Sequence, residues 1–367
     1  MNQAYINATA LRTICGDTKE TLQMVFSRQT QLQTFDTIVP HKTVCIGQMN
    51  KELSFETLLF NAVTEVLENS NLDNFNNTLL LVGSSVGGMA NSEQIFFQEK
   101  SYQNINPQKH IINTIAASLD EEYHFLSSRS YSTACTSSSN ALKVAKELIN
   151  FGAYKNVLVV GADEICKTTI FGFASLGILS DEVSTPFQKN RKGMNVSEGI
   201  GVLLLQDKAN NSAVKLVGAG TSSDAYHIAN PEPNARGAIK AIRNALHDSS
   251  LNAAQIDYIN AHGTGTQAND SGEAKAIENL FGTSVFVSSS KPNIGHTLGA
   301  SGAIEAVLCI ESLRQQKLLP QIRTDDKEVE LNFVTESKIH KLNYILSNSF
   351  AFGGNNTALI FGVDDEN

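Results

Sequence analysis

Apolar residues of this 367-residue chain recur in two rhythms. Leu58, Leu59, Ala62, Val63, Val66 and Leu67 follow the 3.6-residue period of a helix, and Thr78-Leu-Leu-Leu-Val82 reads as a buried strand. The same order returns later. Ala238, Ile239, Ala241, Ile242, Ala245 and Leu246 predict a helix, and residues 256–260 a strand. Next in each half come residues 125–141 and 286–302. Each reads as a strand, a turn of small residues and a helix; they align without a gap and set Cys135 opposite His296. Residues 156–160 and 343–347, then 201–205 and 357–361, complete two matching sets of strands.

Strands alternating with helices predict α/β layering. The recurring order predicts a duplication, with halves near 1–207 and 212–363. Residues 162–197 have no counterpart in the second half, so they are a candidate for pocket lining or subunit contact.

Composition narrows the classes. Apolar residues make up 41% and charged residues 18%, as in a globular protein with a sizeable core. A net charge of −9 argues against nonspecific nucleic-acid binding. No run approaches the roughly 20 apolar residues of a membrane span. The N-terminus lacks the basic and apolar regions of a signal peptide. Cys15, Cys45, Cys135, Cys166 and Cys309 show no CxxC spacing, so reduced thiols, a cytoplasmic location and no metal site are expected.

Candidate chemistry gathers in four places. Cys135 sits where a strand turns into a helix starting near Thr136; the helix N-terminus favours thiolate, although a core cysteine fits the same local pattern. His262 opens the glycine-rich stretch Asn260-Ala-His-Gly-Thr-Gly-Thr266, either as a cap on a turn or beside an extended polar ligand. Lys291 lies five residues before His296, able to orient it or to stand on the surface. Residues 348–356 carry Phe350 and Phe352 among glycines, as ordinary core or as a mobile lid.

Together these stretches resemble the β-ketoacyl-acyl-carrier-protein synthases of the thiolase superfamily, in the elongating, two-histidine branch. The residues that carry the resemblance run in family order: Thr133-Ala-Cys135, Pro186-Phe187 with Arg191 and Gly193, Glu198-Gly199, Ser222-Ser-Asp-Ala-Tyr-His227, His262-Gly-Thr-Gly-Thr266, Lys291 to His296, and Asn348-Ser-Phe with Phe352-Gly-Gly354. They cover about residues 78–362, whereas residues 1–50 match weakly and look shortened.

The resemblance implies a thiolase-like fold, two duplicated halves in a five-layered αβαβα sandwich. It implies decarboxylative Claisen condensation of an enzyme-bound acyl group with malonyl-acyl-carrier protein, in fatty-acid or specialised polyketide or polyene biosynthesis. Cys135 would be the acyl-accepting nucleophile. His262 and His296 would bind the extender's carbonyl, supported by Lys291 and Glu273. Thr264 and Thr266 would hold the phosphopantetheine arm, which arrives with the carrier, so no resident cofactor is expected. The amides of Cys135 and Phe352 would form an oxyanion hole, with Phe352 and Phe350 at the gate. The implied partners are acyl carrier protein and a second subunit, either another copy or a chain-length-factor-like chain.

The main alternative is a non-catalytic chain-length-factor-like subunit, opposed by retention of Cys135, His262, Lys291 and His296. A thiolase would add a second cysteine near residues 349–356, and a papain-like hydrolase its own local signatures; neither is present. Several positions depart from the family pattern. Ala351 replaces a glycine, and its Cβ is expected to restrict the gate. Met194, Asn195, Ser197 and Asn355 replace commoner choices, and residues 180–186 form a short acidic loop where a basic contact to the carrier is usual.

Overall fold

The computed structural model describes residues 2–210 and 214–363. The first half runs β1 (Tyr5–Thr13), β2 (Gly16–Asp17), α1 (Thr18–Phe26), the hairpin β3 (Gln33–Val39) and β4 (Lys42–Ile46), then α2 (Phe55–Glu68) and β5 (Leu79–Gly83). It continues through α3 (Met89–Glu99), α4 (Thr114–Tyr123), β6 (Ser127–Tyr131), α5 (Ser137–Asn150), β7 (Asn156–Asp163), α6 (Lys167–Ser175) and β8 (Gly199–Gln206). The second half runs β9 (Val214–Ser223), α7 (Arg236–Ser249), β10 (Tyr258–Asn260), α8 (Gln267–Phe281), β11 (Phe286–Ser288) and α9 (Lys291–Ile294). It ends with α10 (Ser301–Gln315), β12 (Asn332–Phe333), β13 (Tyr344–Phe350) and β14 (Asn355–Val363). The expected boundary near 207–212 runs into residues 211–213, which lie outside the described residues.

Strand order is β12-β11-β10-β13-β14-β9-β1-β8-β7-β5-β6. Read outward from the centre, β1-β8-β7-β5-β6 and β9-β14-β13-β10-β11 are the same path. The pairing types repeat as well: β5 is parallel to β6 and β7, as β10 is to β11 and β13, while β8 and β14 run antiparallel to their neighbours. The two paths meet where Tyr5 of β1 pairs with Lys215 of β9 and the Leu216 N–H donates to the Ala4 carbonyl (3.0 Å).

Helices α5 and α10 pack on each other and on strands of both paths. Helices α1, α2 and α4 cover the outer face of the first path, and α7, with α8 against it, covers the second. This gives the five layers of a thiolase-like fold. The sequence explains the placement: α10 is buried without interruption from Ser301 to Ile310, as a helix apolar on all sides must be. By contrast, α7 buries one side, Gly237 and the stripe Ala238, Ala241, Ile242, Ala245 and Leu246.

Two expectations are corrected in detail. The strand expected over 256–260 begins only at Tyr258, because Ala253–Gln255 forms a 3-10 turn capped by Asn252. Lys291 lies in the one-turn helix α9, not in an open turn of small residues. Strands β1 and β9, unmarked in the sequence reading, form the seam between the halves.

The α5–α10 contact depends on small residues. The Ser138 hydroxyl donates to the Gly299 carbonyl (2.6 Å) and accepts from the Ala303 N–H (2.9 Å). A Cβ on Gly302 would lie 1.9 Å from Ser139 Oγ and 2.7 Å from the Ser139 backbone nitrogen. Gly302→Ala should therefore lower stability by about 1–3 kcal/mol through overpacking, despite the better helix propensity of alanine. Denaturant unfolding checks this, and a stabilised variant would contradict the tight contact.

Candidate active site

Cys135 occupies the turn between β6 and α5. Ala134 before it takes φ = 53°, and Gly295, its aligned partner before His296, takes φ = 75°. Alanine is strained there, so the turn must be held from outside. The hydroxyls of Ser137 and Ser85 both donate to the Ala134 carbonyl, at 2.6 and 2.9 Å. The N–H groups of Cys135 and Phe352 face the sulfur. Buried Asp163, at the end of β7, ties this corner to the second half. It accepts from Ser84 Oγ (2.5 Å), the N–H groups of Ser85 and Val86 (both 3.0 Å) and the Gly299 N–H (2.6 Å).

The expected depression of the Cys135 thiol is corrected. Burial pushes it up to about 11; Lys291 and the two facing N–H groups pull it down, and Asp163 adds to the rise. Desolvation therefore outweighs the helix N-terminus, and the resting group is a thiol.

His262 and His296 are buried, with ring centroids 5.3 Å apart and planes at 90°. Burial first, and Lys291 second, hold both imidazoles well below their usual range, so both are neutral at pH 7. The Leu298 N–H donates to His296 Nδ1 at 3.1 Å, and so does the Ser301 hydroxyl. These partners assign the proton of His296 to Nε2. Among the described residues His262 Nδ1 has no partner. Its backbone is held by Glu273, which accepts from the N–H groups of His262 and Gly263 (both 2.8 Å) and from Asn348 Nδ2 (3.0 Å). Burial still lifts Glu273 to about 7. Lys291 is buried in an ion pair with Glu305 of α10, whose carboxyl burial pushes up and Lys291 draws back.

The sulfur of Cys135 and one ring nitrogen of each histidine all lie within 4.8 Å of one another. Those donor types could also hold a soft divalent ion. They open onto a cavity of about 520 Å³. Thr264 and Thr266 line it, hydroxyls 2.9 Å apart, on a loop clamped by buried Arg191. Arg191 donates to the Thr266 and Gln267 carbonyls and pairs with Asp270 at 3.5 Å. Phe350 stands 6.1 Å from His262, and Phe352 6.1 Å from Phe173 of α6. Residues 173, 176–178 and 191–194 of the unmatched segment also line the cavity.

The expectation for Ala351 is corrected too. It lies at φ = −119°, where a Cβ costs nothing; the positive φ values fall on Gly353 and Gly354. The acidic loop does not stand free: Asp181 and Glu182 pair with Lys192 at the cavity wall, at 3.1 and 3.7 Å.

All nine sequence candidates meet around this cavity or directly behind it. Sequence reasoning missed Asp163, Glu305 and Phe173. Glu305 left a signal, a lone acid inside the apolar run Ala303 to Ile310, which demands a buried partner.

Residues 16–211 match the family profile described as Beta-ketoacyl synthase, N-terminal domain, and residues 213–325 match Beta-ketoacyl synthase, C-terminal domain. The chain belongs to the β-ketoacyl synthase family. It is 40% identical over 249 residues to a 3-oxoacyl-acyl-carrier-protein synthase 2 of Synechocystis sp., covering 62% of this chain and 60% of that one. A protein of the same name from Staphylococcus aureus is 36% identical over 247 residues, covering 62% and 61%. The matched region thus spans about 60% of these curated relatives. A chain of the solved complex of a ketosynthase with its chain length factor, from Xenorhabdus doucetiae, superposes with a TM-score of 0.91 at 32% identity, over 99% of this chain and 98% of that one. A β-ketoacyl synthase from Burkholderia phymatum shares the fold, with a TM-score of 0.88 at 24% identity. Among the described residues, no helix is long and apolar enough to cross a membrane.

Two predictions follow from this geometry. Alkylation of Cys135 by a neutral electrophile should accelerate about tenfold per pH unit through the neutral range, without a plateau near pH 7. The sign follows from a thiol pKa raised to about 11: the proton is retained until the pH approaches that value. Glu305→Ala should cost about 3–5 kcal/mol by stranding Lys291, whereas adding Lys291→Met should recover much of the loss. Denaturant unfolding of the single and double variants measures the difference; equal losses would exclude a coupled pair.

Proposed function

We propose that this chain catalyses decarboxylative condensation of a cysteine-bound acyl group with a malonyl thioester on acyl carrier protein. The observation that carries the reading is the convergence of the Cys135 sulfur and the two imidazoles within 4.8 Å, with two backbone N–H groups on the sulfur. In the first half-reaction Cys135 attacks the incoming thioester. The carrier's sulfur leaves with the proton that the cysteine gives up, so the exchange is proton-neutral. Because the resting group is a thiol, deprotonation is coupled to substrate binding.

In the second half-reaction the malonyl thioester loses CO2. Its bonding electrons pass to an enolate whose oxygen receives hydrogen bonds from His262 and His296. The assigned Nε2–H of His296 suits that role, and neutral imidazoles donate without fixing the enolate as an ion pair. The enolate carbon then attacks the Cys135 thioester, the N–H groups of Cys135 and Phe352 take the oxyanion, and its collapse expels the cysteine as thiolate, which takes a proton from solvent. Burial first, and Lys291 second, keep both imidazoles neutral. Thr264 and Thr266 face the phosphopantetheine arm, and no resident cofactor is required.

The names of the curated relatives support the carrier as partner. The chain length factor bound to the Xenorhabdus ketosynthase supports a second subunit in a dimer, either another copy or a factor-like chain.

Cys135→Ala should lower condensation by more than about 10³-fold. Cys135→Gln should retain CO2 release from malonyl carrier. Incubation with acyl carriers of varied length, followed by mass spectrometry of the Cys135 adduct and product, tests the scheme and identifies the acyl group. Wild-type condensation by Cys135→Ala would end it.

A further inference from the structure

The buried segment 195–197 holds the backbone of His296 from both sides. The Asn195 carbonyl accepts from the His296 N–H (2.7 Å), and the Ser197 N–H donates to the His296 carbonyl (3.0 Å). Val196 and His296 form an isolated parallel bridge. What holds the cradle is the Asn195 side chain, only 1% exposed. Its Oδ1 accepts from the Ser184 N–H (2.6 Å), and its Nδ2 donates to the carbonyls of Cys45 (3.0 Å) and Glu182 (2.9 Å). One acceptor and both donors of the amide are used, on three backbone groups from β4 and the acidic loop. The same loop continues to Phe187, whose N–H donates to Asp270 (2.9 Å), and Asp270 accepts from Gly265 (3.2 Å) between the two cavity threonines.

We infer that Asn195 is a positioning residue: it fixes His296 relative to Cys135 and joins that placement to the acidic loop and to the threonine loop. A valine here would fill similar space and break all three side-chain bonds. An aspartate would keep the acceptor and turn its other oxygen toward two carbonyls. The inference rests on the proposed chemistry only for its kinetic readout. In that chemistry acylation of Cys135 uses the backbone N–H groups of Cys135 and Phe352, while decarboxylation uses His296. Disturbing the cradle should therefore divide the two half-reactions.

The test compares wild type with Asn195→Val in single-turnover acylation of Cys135, read by mass spectrometry, and in CO2 release from malonyl carrier. CO2 release is expected to fall at least about tenfold, through kcat and not KM, since small displacements of a catalytic group are costly. Adduct formation is expected to change less than about threefold, within the range of an undisturbed step. Equal loss of both steps, as from general destabilisation, overturns the inference, and so does unchanged CO2 release. If Asn195→Val does not fold, Asn195→Asp, which keeps one bond, carries the same comparison. A wild type that neither acylates nor releases CO2 overturns the functional reading instead. Crystal structures of wild type and variant then decide the placement: a shift of the His296 ring supports it, and an unmoved ring refutes it.

Discussion

The molecule depends on burying α5 and α10 against each other between two sets of strands. Each helix begins at a strand-to-helix corner, one bearing Cys135 and the other His296. Once Ser138, Ser139 and Gly302 allow the helices to touch, the two corners come together. Larger side chains at that contact would part the halves and separate sulfur from imidazole. Packing and chemistry therefore rest on the same small residues.

Around that axis the site is assembled by buried polar groups whose partners lie on other elements of the fold. Asp163 of β7 accepts from Gly299, Lys291 of α9 pairs with Glu305 of α10, and Glu273 of α8 carries the backbone of the His262 loop. Each such group would be costly to bury alone. Their mutual satisfaction specifies one arrangement of loops. The same burial leaves the cysteine protonated and the histidines neutral, a set of donors without net charge facing the cavity.

The departures from the family pattern sort into different physical classes. Ala351 is harmless, because its backbone is extended. Met194 changes the cavity wall. Asn195 adds three hydrogen bonds behind His296, where an apolar residue could make none. The acidic loop is tied down from inside by Asn195 and from outside by Lys192.

Much was legible from residues alone. Helical stripes such as 238–246 and apolar runs such as 157–160 appear because burial follows backbone periodicity. The gap-free match of 125–141 with 286–302 revealed the duplication because equivalent corners need the same small residues. Cys135, His262, Lys291 and His296 stood out through the family motifs around them, since each also fits an ordinary structural place on its local sequence alone. The partners of those groups could not be read, since Glu305, Asp163 and the atoms around Asn195 meet theirs only after strands and helices pack. Nor could the protonation of Cys135, since the helix N-terminus is visible in sequence but desolvation is a property of the surrounding volume. Periodicity thus determined the elements and the family motifs marked the reactive groups, while the folded interior decided their distances, partners and charge.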